Sequence, residues 1–509
     1  MTFELLAVIT LIVLALGSLM VGVVNDAVNF LNSAIGAKAA PRKIIMLVAA
    51  AGVMIGATFS DGIIEVARKG IFHPEFFTLN EAIIIFTGAI IANIVLLDLF
   101  STFGLPTSTT VSIVFALFGA ALSTALLKTG DWDAAWEAIN SASAVKIMLG
   151  ILLSVGFAFA IGVVAQFITR LIFTFDYARR FNRFGFLWSG VALSALVFFI
   201  LIKGGKHATF MTDDLQAWIS THTLTIMVGS FVVFSLLSLI LIRLKVNVLK
   251  FIILIGTGSL AMAFAGNDLA NFIGVTVAGV NAYLGADLAG KLPTPTWVLL
   301  VAGAVMVFAL YTSKKSKTVI RTEINLASHD KDVVNSWRAN LFAEKLAKMV
   351  SFSFDWIGGI LPKNTRDWIA SRFKRRAHWD DGEKRAYDLI RASVNLMVAA
   401  AVISYATSYK LPLSTTYVTF MVAMGTSLAD GAWDRSCAPA RITGVLTVVS
   451  GWFLTAFIIF FLAAGTSAVL YLAQGYGLMT LLVVLAYIVY KLLHIHDKRE
   501  KKHSLLQEG

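Results

Sequence analysis

The 509-residue sequence is poor in charged residues and contains a single cysteine. Only 14% of its residues are charged, against about a quarter in an average soluble protein. The lone Cys437 excludes an intrachain disulfide and a cysteine-based metal site. The Gly-x-Ser-x-Gly and His-Glu-x-x-His patterns of two large hydrolase groups are missing, so the sequence does not favour an enzyme.

Long apolar runs dominate the chain instead. It is 58% hydrophobic with a mean hydropathy of +0.80, and several runs reach the 18 or more residues that a membrane-crossing helix needs. Helical segments are predicted at residues 4–24, 44–66, 81–103, 107–127, 145–175, 186–202, 221–243, 248–274, 295–312, 389–409, 413–429, 439–473 and 478–493. We therefore predict an all-α fold, a polytopic transmembrane helical bundle of about 12–13 segments.

The net charge of +12 lies mainly in loops and tails between these segments. Positive-inside sorting and contact with lipid headgroups explain this distribution better than nucleic-acid binding. Most basic clusters fall on one side if the N-terminus lies outside and the C-terminus inside. The first run lacks a basic leader and is interpreted as a retained span. We predict a multi-pass protein of the cell (cytoplasmic or inner) membrane in that orientation.

An Asn-Asp-x-x-Asn motif occurs twice inside apolar runs, at residues 25–29 and 267–271. A carboxylate near the bilayer centre costs about 2.5–3.5 kcal/mol, so two matched copies indicate a function. Polar contacts between helices would explain a lone Asn but not two matched acids. Carboxylate and amide oxygens suit sodium, and an Asp alone can take a proton. The candidate cation ligands are Asn25, Asp26, Asn267 and Asp268, with Asp26 and Asp268 as the acids that would hold sodium.

A Leu-Pro-x-Ser-Thr-Thr motif also occurs twice, at residues 105–110 and 411–416. Proline suits the first turn of a helix that begins within the membrane. The hydroxyls and free N–H groups of such a helix end favour an anion. One copy alone would be interpreted as a helix cap, but two copies favour a cradle for a tetrahedral oxyanion. The candidate ligands are Ser108, Thr109, Thr110, Ser414, Thr415 and Thr416.

Two motifs duplicated in the same order indicate an internal duplication. Asp268 follows Asp26 by 242 residues and Pro412 follows Pro106 by 306, so the second half holds 64 extra residues between its motifs. The basic segment 313–390, expected to form amphipathic helices near the membrane face, accounts for them. The halves run in opposite directions under the predicted orientation, which gives two inverted-topology repeats with broken or re-entrant helices. The predicted units are 1–205 and 206–312 (first repeat and first part of the second), 313–390 (insert), 391–475 (rest of the second repeat) and 476–509 (an extra helix and basic tail).

Two further acids lie in or near the predicted spans, and the basic residues lie mostly outside them. Asp98, in the third segment, is predicted either to bind an extra cation or proton or to be held by a partner. Asp430, near a segment end, is expected to be solvated. Few basic residues lie deep in the predicted spans. A bound oxyanion would therefore be neutralised by helix N-termini, hydroxyls and co-bound cations.

On these two duplicated motifs the chain resembles the inorganic phosphate transporter (PiT, or Pho4-type) family of sodium- or proton-coupled symporters. The resemblance spans the transmembrane region apart from the insert and the last helix. It implies import of inorganic phosphate with sodium or a proton, by alternating access and without a resident cofactor. It also assigns Asn29 and Asn271 to the phosphate site. Two differences leave the coupling cation open: Val23-Val24 precedes the first motif, and Gly52 stands where many members carry Glu.

Three other functions remain open from the residues. A transporter of sulfate or another oxyanion would use the same ligands, and an uncoupled anion channel would use the same helix ends. An intramembrane phosphatase or lipid-modifying enzyme is a third alternative. The predicted partners are phosphate, the co-transported cation and membrane lipids, with a homodimer as one arrangement of the chain.

Overall fold

A computed structural model of the chain describes residues 3–58, 70–200, 212–285, 294–329, 341–374, 385–408, 413–433 and 437–508. Within these ranges the chain is helical, and the only β-type pairing is an isolated bridge between Phe72 and Ile139. The predicted all-α fold is confirmed.

Eight α-helices form the first part of the chain. They are α1 (Phe3–Asp26), α2 (Val28–Gly36), α3 (Arg42–Thr58), α4 (Leu79–Phe103), α5 (Thr109–Thr129), α6 (Trp132–Glu137), α7 (Ser141–Phe173) and α8 (Ala178–Phe199). The start of α4 is fixed by a reciprocal cap between Thr78 and Glu81, and its end by Gly104, which adopts φ +71°. The tight turn after α4 leads directly into the first Leu-Pro-x-Ser-Thr-Thr motif.

Eleven further α-helices follow. They are α9 (Asp213–Thr221), α10 (Thr223–Arg243), α11 (Val248–Leu269), α12 (Val275–Tyr283), α13 (Thr296–Thr312), α14 (Lys315–Ala327), α15 (Leu341–Ile360), α16 (Lys363–Arg372), α17 (Leu389–Ser408), α18 (Thr415–Ala429) and α19 (Ala438–Glu508). A π-helical turn, Ala270–Gly274, joins α11 to α12. The predicted segments 439–473 and 478–493 are two helices that meet at a kink at Gln474 (φ 43°), and both are numbered here as α19.

Nine helices in the described ranges are long and apolar enough to cross a membrane, or ten if α13 and α14, which meet at 70°, form one bent span. A multi-pass membrane protein is therefore confirmed. Other predicted segments form shorter helices; α18, for example, has 15 residues. The insert contributes α14, α15 and α16, and α14 is buried against α2 and α4 rather than lying at the periphery.

Contacts between the halves recur in matched pairs. Gly22 in α1 lies against the ring of Phe272, where a Cβ would approach a ring atom to 2.1 Å. Adding 242 to Gly22 gives Phe264, and subtracting 242 from Phe272 gives Phe30; those two rings also contact each other, at 5.5 Å between centroids. The same pairing of positions thus occurs twice, as a two-fold relation between repeats predicts.

The helices that follow the Ser-Thr-Thr motifs show the same relation. Gly119 of α5 packs on the backbone carbonyl of Phe460 in α19, and Gly425 of α18 packs on that of Phe159 in α7. A Cβ would lie 2.0 Å and 2.3 Å from these oxygens, so both contacts need glycine. Each half therefore packs its glycine-bearing helix against a helix of the other half. The opposite membrane direction of the two repeats stays a prediction.

Candidate functional site

The first Asn-Asp motif lies at the junction of α1 and α2. Helix α1 ends at Asp26 and α2 begins at Val28, so Ala27 alone interrupts them. Ala27 keeps helical angles (φ −54°, ψ −28°), and its N–H bonds to Val23 O at 2.9 Å. The predicted broken helix is here a local disturbance within one 34-residue run, Phe3–Gly36.

The second Asn-Asp motif coincides with a stronger irregularity. Helix α11 ends at Leu269, and the π-helical turn Ala270–Gly274 follows directly. Single π-turns inside α-helices are frequent at functional sites because they change the backbone hydrogen-bond pattern locally. The side chains of Asn267, Asp268 and Asn271 lie outside the described part of the structure, so their ligand roles stay predictions.

The carboxyl group of Asp26 meets a hydroxyl from the second half of the chain. Thr416 Oγ1 donates to Asp26 Oδ1 at 3.0 Å, and Asn29 Nδ2 donates to the same oxygen at 3.3 Å. Asn29 also donates to Thr416 Oγ1 at 3.0 Å and accepts from Thr419 Oγ1 at 3.2 Å. All four side chains are buried. The structure thus brings together three of the predicted ligands: Asp26 and Asn29 from the first motif, and Thr416, which lies 390 and 387 residues further along the chain.

Asn25 uses its amide to hold the loop that precedes α5. Its Oδ1 accepts from the backbone N–H of Thr107 at 2.9 Å. Its Nδ2 donates to Leu105 O at 3.1 Å and to Ser101 Oγ at 3.2 Å. In this conformation Asn25 therefore positions the Leu-Pro-x-Ser-Thr-Thr segment; its predicted role as a cation ligand stays a prediction.

The two motif serines cap their helices in the same way. Ser108 Oγ accepts from Val111 N at 3.2 Å, and Ser414 Oγ accepts from Tyr417 N at 3.3 Å. Their backbone angles also agree, with φ −91° and ψ 118° at Ser108 and φ −96° and ψ 123° at Ser414. A capping hydroxyl keeps its own proton, so each serine can still donate to an anion.

The remaining motif hydroxyls differ in exposure. Thr109 is buried like Thr416, whereas Thr110 and Thr415 are half-buried. Pro412 lies outside the described residues. The duplicated motif therefore presents both a capping serine and threonines at the first turn of each helix.

An aromatic pair that the sequence analysis missed stands beside this site. The rings of Tyr417 and Trp452 stack with centroids 3.8 Å apart. Trp452 Nε1 donates to the carbonyl of Pro106 at 2.9 Å, and Thr107 Oγ1 lies 3.1 Å from Thr455 Oγ1. The position of Tyr417 directly after the motif residue Thr416 could have indicated that this ring lies near the site. Trp452 carried none, because nothing in its local sequence distinguishes it from a lipid-facing aromatic residue.

Buried ion pairs lie elsewhere in the structure. Arg170 on α7 bonds to both oxygens of Asp430 at 2.7 Å and to Asp388 at 2.7 Å. Burial alone would raise the pKa of the Asp430 carboxyl, yet Arg170 holds that pKa well below its usual range. The expectation that Asp430 is solvated was wrong, because its chain position near a helix end did not reveal the arginine from α7.

Two roles were predicted for Asp98, and the structure has the one in which another residue holds its carboxylate. Lys315, the first residue of α14, bonds to its Oδ1 at 2.6 Å, and both side chains are buried. The partner comes from the insert, 217 residues away, so spacing within the repeat could not have found it. A vacant cation site at Asp98 is not what the structure contains.

Within the described residues, no group of three or more His, Cys, Asp or Glu side chains could hold a metal ion. The Asp26 site instead combines one carboxylate with amide and hydroxyl oxygens. Such hard oxygen donors suit a monovalent cation or a proton better than a transition metal.

Comparison with known proteins identifies a family and several similar chains. A sequence profile described as the phosphate transporter family matches residues 22–322, which include both Asn-Asp motifs and the first Ser-Thr-Thr motif. A protein named as a phosphate permease in Thermococcus kodakarensis is 28% identical over 298 residues, covering 55% of this chain and 68% of that protein. Another from Pyrococcus furiosus is 28% identical over 322 residues, covering 61% and 76%. A solved structure described as the sodium-dependent phosphate transporter matches with a TM-score of 0.63 at 18% identity, over 93% of this chain and 99% of that one.

Proposed function

Because the chain belongs to the phosphate transporter family, we propose that it imports inorganic phosphate across the cell membrane by symport with a cation, sodium or a proton. The observation that supports this best is the 3.0 Å hydrogen bond from Thr416 to Asp26. It joins an acid suited to a cation with a helix N-terminus suited to an oxyanion. The residues that we propose as cation ligand and as phosphate ligand are therefore in contact at one buried place.

The charges at this place make a cation necessary. Each helix N-terminus provides about half a positive charge, so the N-termini of α5 and α18 together provide about one. Phosphate carries between one and two negative charges at neutral pH, and Asp26 adds another when ionised. Without a further positive charge the sum is about −1 to −2, and one positive ion bound beside Asp26 would bring it to between about zero and −1. Cation coupling follows from this balance in the proposed mechanism.

The hydrogen bonds of Thr416 suggest the order of binding. Its hydroxyl proton is directed to Asp26 Oδ1. A cation held by Asp26 would occupy the lone pairs of that oxygen and release the hydroxyl proton of Thr416. The proton could then be donated to a phosphate oxygen. Cation binding thus precedes and prepares phosphate binding.

Alternating access would act on the same contact. Asp26 lies in the first repeat and Thr416 in the second, so relative movement of the repeats would open the site to one side and then the other. In the proposed orientation the N-terminus is outside and the C-terminus inside. The cation and then phosphate would bind from outside, and both would leave to the cytoplasm.

Uptake of radiolabelled phosphate into proteoliposomes tests this function. Accumulation against the phosphate gradient is expected when a sodium or proton gradient is imposed, and collapse of that gradient should stop it. Imposing a sodium gradient alone and then a proton gradient alone shows which of the two cations drives uptake. Protein-free vesicles are the control.

Two other functions give different results in the same assay. An uncoupled anion channel would let phosphate follow only its own electrochemical gradient. A sulfate transporter would be inhibited more strongly by sulfate than by arsenate, whose size and charge resemble those of phosphate. Either result would contradict the proposal.

A further inference from the structure

The buried face of α14 carries an acid, Glu323, that has no basic partner among the residues the structure describes. Glu323 is fully buried, and its Oε1 accepts from the amide of Asn32 in α2. Its Oε2 is buried without a hydrogen-bond partner in the described residues. The ion pair of Asp98 with Lys315, at the start of the same helix, shows that other acids in this region are neutralised by a base.

The charged and titratable side chains of the elements packed on α14 are directed to other groups. Tyr387 donates to the backbone carbonyl of Asn32 at 2.8 Å and so helps to fix the residue whose side-chain amide binds Glu323. Other charged or titratable groups around α14 also have partners of their own: Lys315 with Asp98, Arg321 with Glu500, His496 with Thr318, Arg499 with the carbonyl of Thr102, Asp26 with Thr416, Arg391 with the carbonyl of Ala327, Arg441 with the carbonyl of Leu326, and His329 and Arg170 with Asp430. Within the described residues, the hydrogen-bond donor to Glu323 is thus the neutral amide of Asn32.

An ionised carboxylate in such a place would be strongly destabilised. The effective penalty for burying one charge is several kcal/mol, and a group in this position takes up a proton instead. A buried acid that is neutral only while it holds a proton will release that proton when water reaches it. Glu323 therefore has the properties of a proton-binding group whose occupancy depends on exposure.

Helix α2 connects Glu323 to the proposed transport site. Asn32 lies three residues after Asn29, which bonds to both Asp26 and Thr416. A movement of α2 that opens the Asp26 site would also separate Asn32 from Glu323. We infer that Glu323 is a second, proton-binding site, distinct from the cation site at Asp26. Its carboxylate takes one proton from water on one side and releases the same proton on the other as α2 moves.

This inference rests on the proposed function, and the test separates the two. In proteoliposomes, phosphate uptake by the wild-type protein is measured with and without an inside-alkaline pH gradient, together with acidification of a trapped pH dye. Glu323→Gln should lose the stimulation by the gradient and the additional dye acidification per phosphate. Uptake by Glu323→Gln that still responds to the gradient like wild type would overturn the inference. Wild-type protein that moves no phosphate with any cation would instead refute the proposed function.

Glu500→Gln is the matched control, since Glu500 contacts Thr318 and Arg321 on the outer face of the same helix. It should keep the wild-type response. Infrared spectroscopy adds a readout independent of transport: the carbonyl band of a protonated carboxylic acid should be weaker in Glu323→Gln than in wild type, and an unchanged band contradicts the inference. If Glu323→Gln fails to fold, Glu323→Asp keeps the acid on a shorter side chain and should shift the pH midpoint of uptake. An unshifted midpoint would also contradict it.

Discussion

Asp26 and Asp430 are both buried acids, but different groups hold them. Asp26 accepts from the hydroxyl of Thr416 and the amide of Asn29, which are neutral. Asp430 accepts two bonds from the guanidinium of Arg170 and one from Gln166. The second arrangement contains its own permanent positive charge. The arrangement around Asp26 uses neutral donors that can turn toward another ligand.

This difference separates a structural acid from an exchangeable site. The Arg170 pair joins α7 to the end of α18, and Asp388 extends it to the residue before α17. Such a pair fixes the relative position of three helices. The donors around Asp26 instead come from helix ends where the backbone is irregular or begins. We expect changes at the first cluster to affect folding and changes at the second to affect transport.

The largest effect is expected from Arg170→Met. Removing the guanidinium leaves Asp388 and Asp430 buried near each other without their shared partner, and breaking one side of a buried pair costs about 3–5 kcal/mol. Thermal unfolding of the purified protein in detergent should show a clear decrease in midpoint. Arg321→Met is the control, because its pair with Glu500 is half-exposed and such pairs contribute about 0–1 kcal/mol.

A double variant distinguishes lost charge from lost packing. Arg170→Met combined with Asp430→Asn removes one of the two carboxylates that have lost the guanidinium of Arg170 and should recover part of the stability. If the double variant is as unstable as Arg170→Met alone, the guanidinium acts through its packing, including its position 4.1 Å above the ring of Phe175.

A smaller effect, confined to transport, is expected from Asp26→Asn. The amide keeps the size of the side chain but loses the charge that would hold a cation. A bond to a charged group is worth about 1.5–3 kcal/mol, so coupled phosphate uptake should fall about 10- to 150-fold. Initial uptake rates at several sodium or proton gradients measure this. Thermal unfolding should change less than in Arg170→Met; equal destabilisation would remove the distinction between the two acids.

The fold class and the duplicated parts of the site were predictable from sequence, because they depend on local patterns. Apolar runs identify spans, and the Asn-Asp and Ser-Thr-Thr motifs repeat within the printed chain. The capping role of Ser108 and Ser414 follows from their position before a helix. These signals require no knowledge of which helices touch.

The partners of isolated polar residues were not predictable. Arg170 and Asp430 lie 260 residues apart, and Glu323 and Asn32 lie 291 apart. No repeat or spacing relates the members of either pair. The turn at Ala27 was also milder than expected, because a sequence shows where polar groups interrupt a span but not how far the helix bends.

The smallest effect is expected from Thr416→Val, which keeps the shape but removes the hydroxyl proton from Asp26. A hydrogen bond to a charged oxygen contributes about 1.5 kcal/mol at the low end of its range, so the phosphate concentration for half-maximal uptake should rise about tenfold at saturating cation. Thr416→Ser keeps the hydroxyl and should remain close to wild type. The order of binding is tested by the ratio of the half-maximal phosphate concentrations of these two variants, measured at high and at low cation concentration. If Thr416 donates to phosphate only after the cation has occupied Asp26, the difference between Val and Ser should be large at high cation and small at low cation. A difference that is independent of cation would mean that Thr416 serves only to hold Asp26 in place, as Arg170 holds Asp430.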